Sequence, residues 1–247
     1  MRVLSYNIHK GIGGRDRRYQ LDRVLAVFDH EKPDIVCLQE VDRNVRRSKF
    51  DNQPEMIAEH LRAAGKLFQF THPVAQGGYG NLLLSRWAFL EEHVLSLTLR
   101  SCKVRGAQWA VIATPAGDLR VVNWHLGLRE SERHWQVRRL LEHHTFRGLD
   151  HLPTLIIGDT NDWRNTLAAG PFAIHGYRHV TAPPSRFRSF PAYWPMGSLD
   201  KAFARGPLRI EHAHVSRRLP ATTASDHLPL IIDLEIDPHA SQHSVTK

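Results

Sequence analysis

Cysteine is nearly absent. Cys37 and Cys102 are the only two among 247 residues, so no disulfide framework holds this chain. Cys37 falls inside the apolar run from Asp34 to Leu38 and reads as a buried free thiol. There is no pair of closely spaced cysteines and no HExxH segment, which removes the usual zinc signatures. No stretch approaches the roughly 18 apolar residues of a membrane-spanning helix. The opening Met1-Arg2-Val3-Leu4-Ser5-Tyr6-Asn7 has no apolar core long enough for a signal peptide. A cytoplasmic, monomeric protein is therefore expected. Internal repeats, low-complexity tracts and Gly/Ser linkers are also missing, so a single domain is expected over 1–236, followed by a polar tail at 237–247.

Acidic residues are in short supply. Asp and Glu total 25 against 33 Lys and Arg, a net charge of +8 with 17 histidines uncounted. That excess favours anionic partners, whether nucleic acid, a phospholipid surface or a phosphorylated metabolite.

What is present is a succession of short apolar runs. Val3–Ile8 is strand-like, and Leu21, Val24, Leu25 and Phe28 then recur at helical spacing. The strand-like run 35–38 is followed by a second helical pattern in Met56, Ile57, His60 and Leu61. Short strands are expected at 80–86, 91–98, 107–114 and 119–126, with Gly117-Asp118 turning the last pair. A helix is expected over 130–146, with Trp135, Leu140 and Leu141 facing inward. A strand at 153–157, an irregular Pro-rich stretch at 183–197, and strands near 199–204, 208–215 and 228–235 complete the chain. Strands dominate, some joined by helices and others by hairpins, which points to mixed sheets covered by helices rather than a purely parallel doubly wound fold.

The polar residues that end these runs are unusual. Asn7 follows Val3–Tyr6, Glu40 follows Ile35–Gln39, and His125 sits within Val121–Leu126. Asp159 and Asn161 follow Leu155–Ile157 in the segment Gly158-Asp159-Thr160-Asn161-Asp162-Trp163. Asp200 follows Ser198-Leu199, and Asp226-His227 precedes Leu228-Pro229-Leu230. Each has an ordinary explanation by itself: a turn for Asn7, a helix cap for Glu40, a hydrogen-bonded core histidine for His125, a cap for Asp226. As a set they are harder to dismiss, because a carboxylate is rarely buried without a partner or a cation. An oxygen-rich set of Glu, Asp and Asn suits a hard cation such as Mg²⁺ or Mn²⁺.

Seven segments in this order carry a resemblance: Tyr6-Asn7, Leu38-Gln39-Glu40-Val41, Leu84-Ser85-Arg86, Asn123-Trp124-His125-Leu126, Gly158-Asp159-Thr160-Asn161, Leu199-Asp200 and Ser225-Asp226-His227. Together they resemble the endonuclease/exonuclease/phosphatase (DNase I-like) superfamily, in its compact bacterial branch. The resemblance implies a four-layer α-β-β-α sandwich, with two mixed, mostly antiparallel sheets packed face to face. It implies a divalent-metal-dependent phosphodiester hydrolase in which Glu40 is the principal metal ligand, with Asn7 beside it and Asp226 contributing. By the same likeness Asp200 orients His227 against the scissile phosphate, and Asp159 positions or deprotonates the attacking water. Asn161 donates its amide to a phosphate oxygen, and His125 acts as general acid or electrostatic stabiliser. Asn81 falls near the position that orients His125. Asn123, Asp162 and Ser85-Arg86 read as structural braces.

Basic residues cluster beside the site segments: Lys10, Arg15, Arg17 and Arg18 after Asn7; Arg43, Arg46, Arg47 and Lys49 after Glu40; Arg186 and Arg188 before Asp200; Arg217 and Arg218 before Asp226. Gathered at one sheet edge, they form a positive rim suited to nucleic acid. The segment 187–196 interleaves Phe187, Phe190, Tyr193 and Trp194 with arginines and prolines. Bases can stack there, the same residues can dip into a membrane interface, or the prolines pack it as a covering loop. Nucleic acid is the leading substrate expectation. The alternatives are a phospholipid or sphingolipid headgroup diester, a phosphomonoester, or an inactive nucleic-acid-binding domain.

Overall fold

The computed structural model describes residues 1–100 and 102–237. Its strands are Arg2–Asn7 (β1), Ile35–Arg43 (β2), Gly65–Val74 (β3), Gly77–Ser85 (β4), Phe89–Ser96 (β5), Gly106–Thr114 (β6), Gly117–His125 (β7), Thr154–Asp159 (β8), Arg178–His179 (β9), Asp200–Arg205 (β10), Leu208–Val215 (β11) and Leu230–Ile236 (β12). The helices are Leu21–Glu31 (α1), Gln53–Leu61 (α2), Glu130–Leu141 (α3), His144–Gly148 (α4), Pro171–Ile174 (α5) and Ala221–Ala224 (α6). Two six-stranded sheets result, in the orders β11-β12-β1-β2-β4-β3 and β5-β6-β7-β8-β10-β9.

Each sheet holds one parallel pair, β1 with β2 and β7 with β8, and its other pairs are antiparallel. A parallel pair needs a crossover, because its second strand must start at the same end as the first. Helix α1 supplies it in one sheet, and α3 with α4 supplies it in the other. The sheets bury a common interior in which Val3, Ile35, Leu83, Val121, Leu155 and Ala202 meet, and α1 and α2 cover the outside of the first sheet with Val24, Phe28 and Ile57. Alternate residues of the second sheet, Trp109, Trp124, Ile156 and Phe203, point outward against Val137, Leu140 and Phe146. The layering is therefore α-β-β-α, as the resemblance implies.

A polar cluster crosses the apolar interior at the β2 bulge. Glu40 has φ 56, and the β2–β4 register slips between Leu38 and Val41. At this bulge the Asn123 amide, reaching from β7, donates to the carbonyls of Leu38 (2.9 Å) and Leu82 (3.1 Å), while Gln39 donates to Asn123 Oδ1 (2.7 Å). A bulge leaves backbone groups unpaired, and the opposite sheet satisfies them here. Asn123 is thus a brace, as its sequence position suggests. Asp162 is another: it accepts from Leu167 N–H (3.1 Å) and sits 3.5 Å from Arg133.

Several expectations need correction. Strand β3 is absent from the sequence reading, because Lys66, Gln69, His72 and Pro73 disrupt its apolar pattern; as an edge strand it tolerates them. The helix expected over 130–146 is two, breaking after Leu141. Trp135 does not face inward. It lies beside Arg139 (5.4 Å) while Gln136 takes the inner position, donating to Leu97 O and accepting from Gly127 N–H. Of the α2 pattern only Ile57 is buried, and His60 reaches outward to Asp29 on α1. Asp237 N–H donates to Pro207 O (2.8 Å), and the rest of the expected tail, 238–247, lies outside the described residues.

Replacing Asn123 with Leu keeps most of the volume but removes the donor to the Leu38 and Leu82 carbonyls and the nearest of the Gln39 amide's three acceptors. The expected loss of stability is about 1–3 kcal/mol, the penalty of buried polar groups left unsatisfied. Urea unfolding of Asn123→Leu measures it, and an unchanged midpoint would show that water reaches these groups.

Candidate active site

Strand direction decides which ends meet. The carboxyl ends of β1, β2, β7 and β8 deliver Asn7, Glu40, His125 and Asp159 to one edge of the sandwich. Strand β10 runs antiparallel to β8, so its first residue, Asp200, pairs with Asp159. Strand β12 runs antiparallel to β1, so His227, three residues before β12, arrives at the same edge. The β7–β8 approach is close. Gly158 has φ 147, and a Cβ there would lie 2.3 Å from the Trp124 carbonyl, so only glycine fits.

Asp159 is the hub. It is 1% exposed. Asn7 Nδ2 donates to Asp159 Oδ2 (3.0 Å), and the Asn161 N–H donates to Oδ1 (3.0 Å). Asp159 Oδ2 also lies 3.4 Å from His125 Nε2 and 3.7 Å from His227 Nε2. Burial, which disfavours charge, pushes the Asp159 carboxyl above the usual carboxylate range, although His227 opposes it. The Asn161 side chain donates to Leu126 O (3.0 Å) from a left-handed backbone, φ 51.

The two histidines are held differently. His227 Nδ1 meets Asp200 Oδ2 at 2.9 Å, and Ser189 Oγ donates to the same oxygen (2.5 Å). Burial alone would lower the His227 pKa, but Asp200 and then Asp159 outweigh it and the imidazolium is favoured. The Phe190 ring packs on the His227 ring, centroids 4.9 Å apart. His125 has no such dyad partner. Burial and, next, the Arg105 charge push its pKa well below the ordinary histidine value, so its ring is neutral. Ser225 secures the rest, donating to Asn7 O (2.7 Å) and accepting from His227 N–H (3.2 Å).

Glu40 stands at the other side of the site. Lys10 Nζ bonds to Glu40 Oε2, and the Lys10 charge holds the Glu40 carboxyl ionised against its burial. Asn7 Oδ1 accepts from His9 N–H (3.1 Å), and His9 Nδ1 lies 3.9 Å from Asp226 Oδ1. His9 thus lies between the expected metal ligands Asn7 and Asp226. All three expected ligands are oxygen donors, and Glu40 has an ammonium as its only bonded partner among the described residues, which fits a hard divalent cation. Asp159, Asp200 and His227 also place ligand-type atoms within 4.8 Å of one another, but the His227–Asp200 contact is already a donor–acceptor pair.

Asn81 does not orient the His125 ring. Its amide donates to Gly106 O (3.1 Å), and Gly106 is the cross-strand partner of His125. The sequence assigned no role to Ser189, Ser225 or Arg105, marked Phe190 only as a stacking, membrane-dipping or covering aromatic, and placed Lys10 only in a basic rim. Ser189 and Ser225 lie within segments that the sequence singled out, whereas Arg105 carries no signal in the chain order. The rim forms in part. Arg217 donates to Arg188 O (3.1 Å), joining two clusters, and Gly14 packs against Asp226. Arg47, however, makes a bidentate pair with buried Asp42 (2.9 and 2.7 Å), and Arg43 lies over Phe68 and Phe70, so both are structural.

The profile of the Endonuclease/Exonuclease/phosphatase family matches residues 4–227. The chain is 28% identical to the Escherichia coli protein YbhP, covering 95% of this chain and 96% of that one. It is similar in structure to an endonuclease/exonuclease/phosphatase from Beutenbergia cavernae, with TM-score 0.79, 24% identity, and coverage of 96% and 71% of the two chains. It is similar also to a mannosyl-6-phosphatase from Bacteroides thetaiotaomicron, with TM-score 0.72, 15% identity, and coverage of 95% and 99%. No helix among the described residues is long and apolar enough to cross a membrane.

Because Asp200 and Asp159 raise the His227 pKa above the ordinary 6.5, its charged form persists as pH rises. Histidine NMR is expected to show one ring still protonated above pH 8, and Asp200→Asn is expected to move that titration down toward the ordinary range. A His227 that titrates normally in the wild type would dismantle the dyad.

Proposed function

The chain belongs to the endonuclease/exonuclease/phosphatase family, and from that premise we propose that it is a divalent-metal-dependent phosphodiester hydrolase acting on nucleic acid. The observation that carries this reading is the Asp159 carboxylate, buried yet bracketed by Asn7, His125 and His227 within 3.0–3.7 Å. A base, a charged imidazolium and a neutral imidazole converge there, as in-line attack of water on phosphorus requires.

Glu40, with Asn7 and Asp226, would hold Mg²⁺ or Mn²⁺, which when bound polarises the phosphoryl oxygen and offsets charge on the leaving group. The chain's own groups then divide the work. Asp159 orients the attacking water and takes its proton as the new P–O bond forms and the ester P–O bond breaks; its raised pKa makes it a better proton acceptor than an exposed aspartate. His227, kept charged by Asp200, faces the negative charge that builds on the phosphoryl oxygens. His125, neutral in the resting protein, suits a hydrogen-bonding role better than that of general acid. Asn161 keeps one amide hydrogen for a phosphate oxygen after donating the other to Leu126 O.

Arginines at 15, 17, 18, 188, 217 and 218 support a polyanionic substrate. One observation favours a second reading, hydrolysis of a lipid headgroup diester. Tyr193, Trp194 and Met196 are 58%, 70% and 58% exposed on the loop that carries Phe190 to His227. Similarity to a mannosyl-6-phosphatase keeps phosphomonoesters in the test.

Incubation with Mg²⁺ or Mn²⁺ and plasmid, single-stranded DNA, RNA, phospholipid vesicles and a sugar phosphate decides among them. Cleavage of nucleic acid is expected; headgroup release with nucleic acid intact would select the lipid reading. Asp159→Asn and His227→Ala are each expected to lower the rate by roughly 10²–10⁴, and a variant retaining the wild-type rate would lose its assigned role. Glu40→Gln is expected to weaken Mn²⁺ binding in a direct titration, and an unaltered isotherm would move the metal elsewhere.

A further inference from the structure

Among the described residues, Arg105 is a buried cation without a counter-ion. It immediately precedes β6 and is 7% exposed. Its backbone is fixed, since its N–H donates to Thr98 Oγ1 (3.4 Å) and its carbonyl accepts from Leu97 N–H (2.8 Å). Among the described residues no carboxylate pairs with its guanidinium, and the buried Nε has no hydrogen-bond partner. A desolvated cation in that condition is stabilised by any anion that reaches it, and a guanidinium offers five donors to a phosphate.

Arg105 borders two cavities. The first also contains Glu40, Tyr79, Asn81 and His125. The second, about 230 Å³, is lined by Lys103, Gly127, Leu128, Arg129 and Glu132 as well as Arg105. Three cations therefore face one carboxylate there, and a Glu132 oxygen already accepts from Gln136 Nε2 (3.2 Å). The loop following His125 forms one wall, so this cavity adjoins the catalytic edge without sharing Asp159 or His227.

We propose that the second cavity is an anion subsite for a phosphate next to the one that reacts, with Arg105 as its anchor and Lys103 and Arg129 at its mouth. The substrate class is then one bearing at least two phosphates, and a nucleic-acid strand, with a phosphate at every linkage, meets that requirement. This deepens the phosphodiesterase reading and rests on it for the meaning of the neighbouring site.

Equilibrium binding in EDTA tests this without turnover. The probes are a dinucleoside monophosphate, the same dinucleotide with a 5′- or 3′-terminal phosphate, and a trinucleotide. The wild type is expected to bind at least one two-phosphate probe roughly tenfold more tightly than the one-phosphate probe, with a gain that shrinks as salt is added. Arg105→Met is expected to abolish that gain and Arg105→Lys to retain part of it. Arg129→Gln, at an exposed position, is expected to reduce it about threefold, and it carries the test if Arg105→Met does not fold. A gain with the trinucleotide assigns the subsite to a strand; a gain confined to the terminal phosphate assigns it to a small bisphosphorylated ligand. Equal binding of one- and two-phosphate probes by the wild type, or a gain untouched in the folded variants, overturns the proposal. A protein that shows the gain yet hydrolyses no phosphoester would fault the phosphodiesterase reading alone.

Discussion

A single buried carboxylate governs this end of the molecule. Asp159 has almost no contact with solvent, and a desolvated carboxylate is tolerable only where donors surround it. Those donors come from both sheets: Asn7 from the end of β1, the Asn161 backbone from the loop after β8, and the imidazoles of His125 and His227 from either side. Meeting that demand requires strands of two sheets to finish at one edge. The two parallel pairs and their helical crossovers achieve this; the close packing at Gly158 sets β8 against β7, and the Asn123 bridge ties one sheet to the other.

The same low-dielectric setting separates two histidines that would behave alike in water. His227 shares a buried oxygen of Asp200 with Ser189 and is held charged; His125, desolvated and opposed by the Arg105 charge, is held neutral. Opposite protonation states at similar distance from Asp159 give one edge both a cationic stabiliser and an uncharged hydrogen-bonding ring. Lys10 answers Glu40, whereas among the described residues Arg105 pairs with no carboxylate.

Much of this was legible in the chain. Apolar runs that end abruptly in Asn7, Glu40, Asp159 and Asp200 mark strand ends with polar neighbours, because nothing else places an acid there without penalty. The bracing roles of Asn123 and Asp162 followed from the same logic. Where side-chain pattern and structure disagree, a local partner explains it. Trp135 yields the inner face of α3 to Gln136, whose amide bonds two backbone groups. Strand β3 escapes notice because an edge strand needs only one partner and tolerates polar residues on its open side. Asn81, adjacent to His125 in the cavity, turns its amide to a backbone carbonyl instead of the ring.

The sequence by itself determined the inventory: which strands exist in the interior, which acids, amides and imidazoles terminate them, and that the chain carries surplus positive charge. Strand-end chemistry is local, so it survives in the linear order. Tertiary structure alone decided the partnerships, including Ser189 on Asp200 and Lys10 on Glu40, and left the Arg105 guanidinium without a carboxylate among the described residues. Those depend on residues far apart in the chain arriving at one desolvated edge, where burial shifts the protonation of Asp159, His125 and His227.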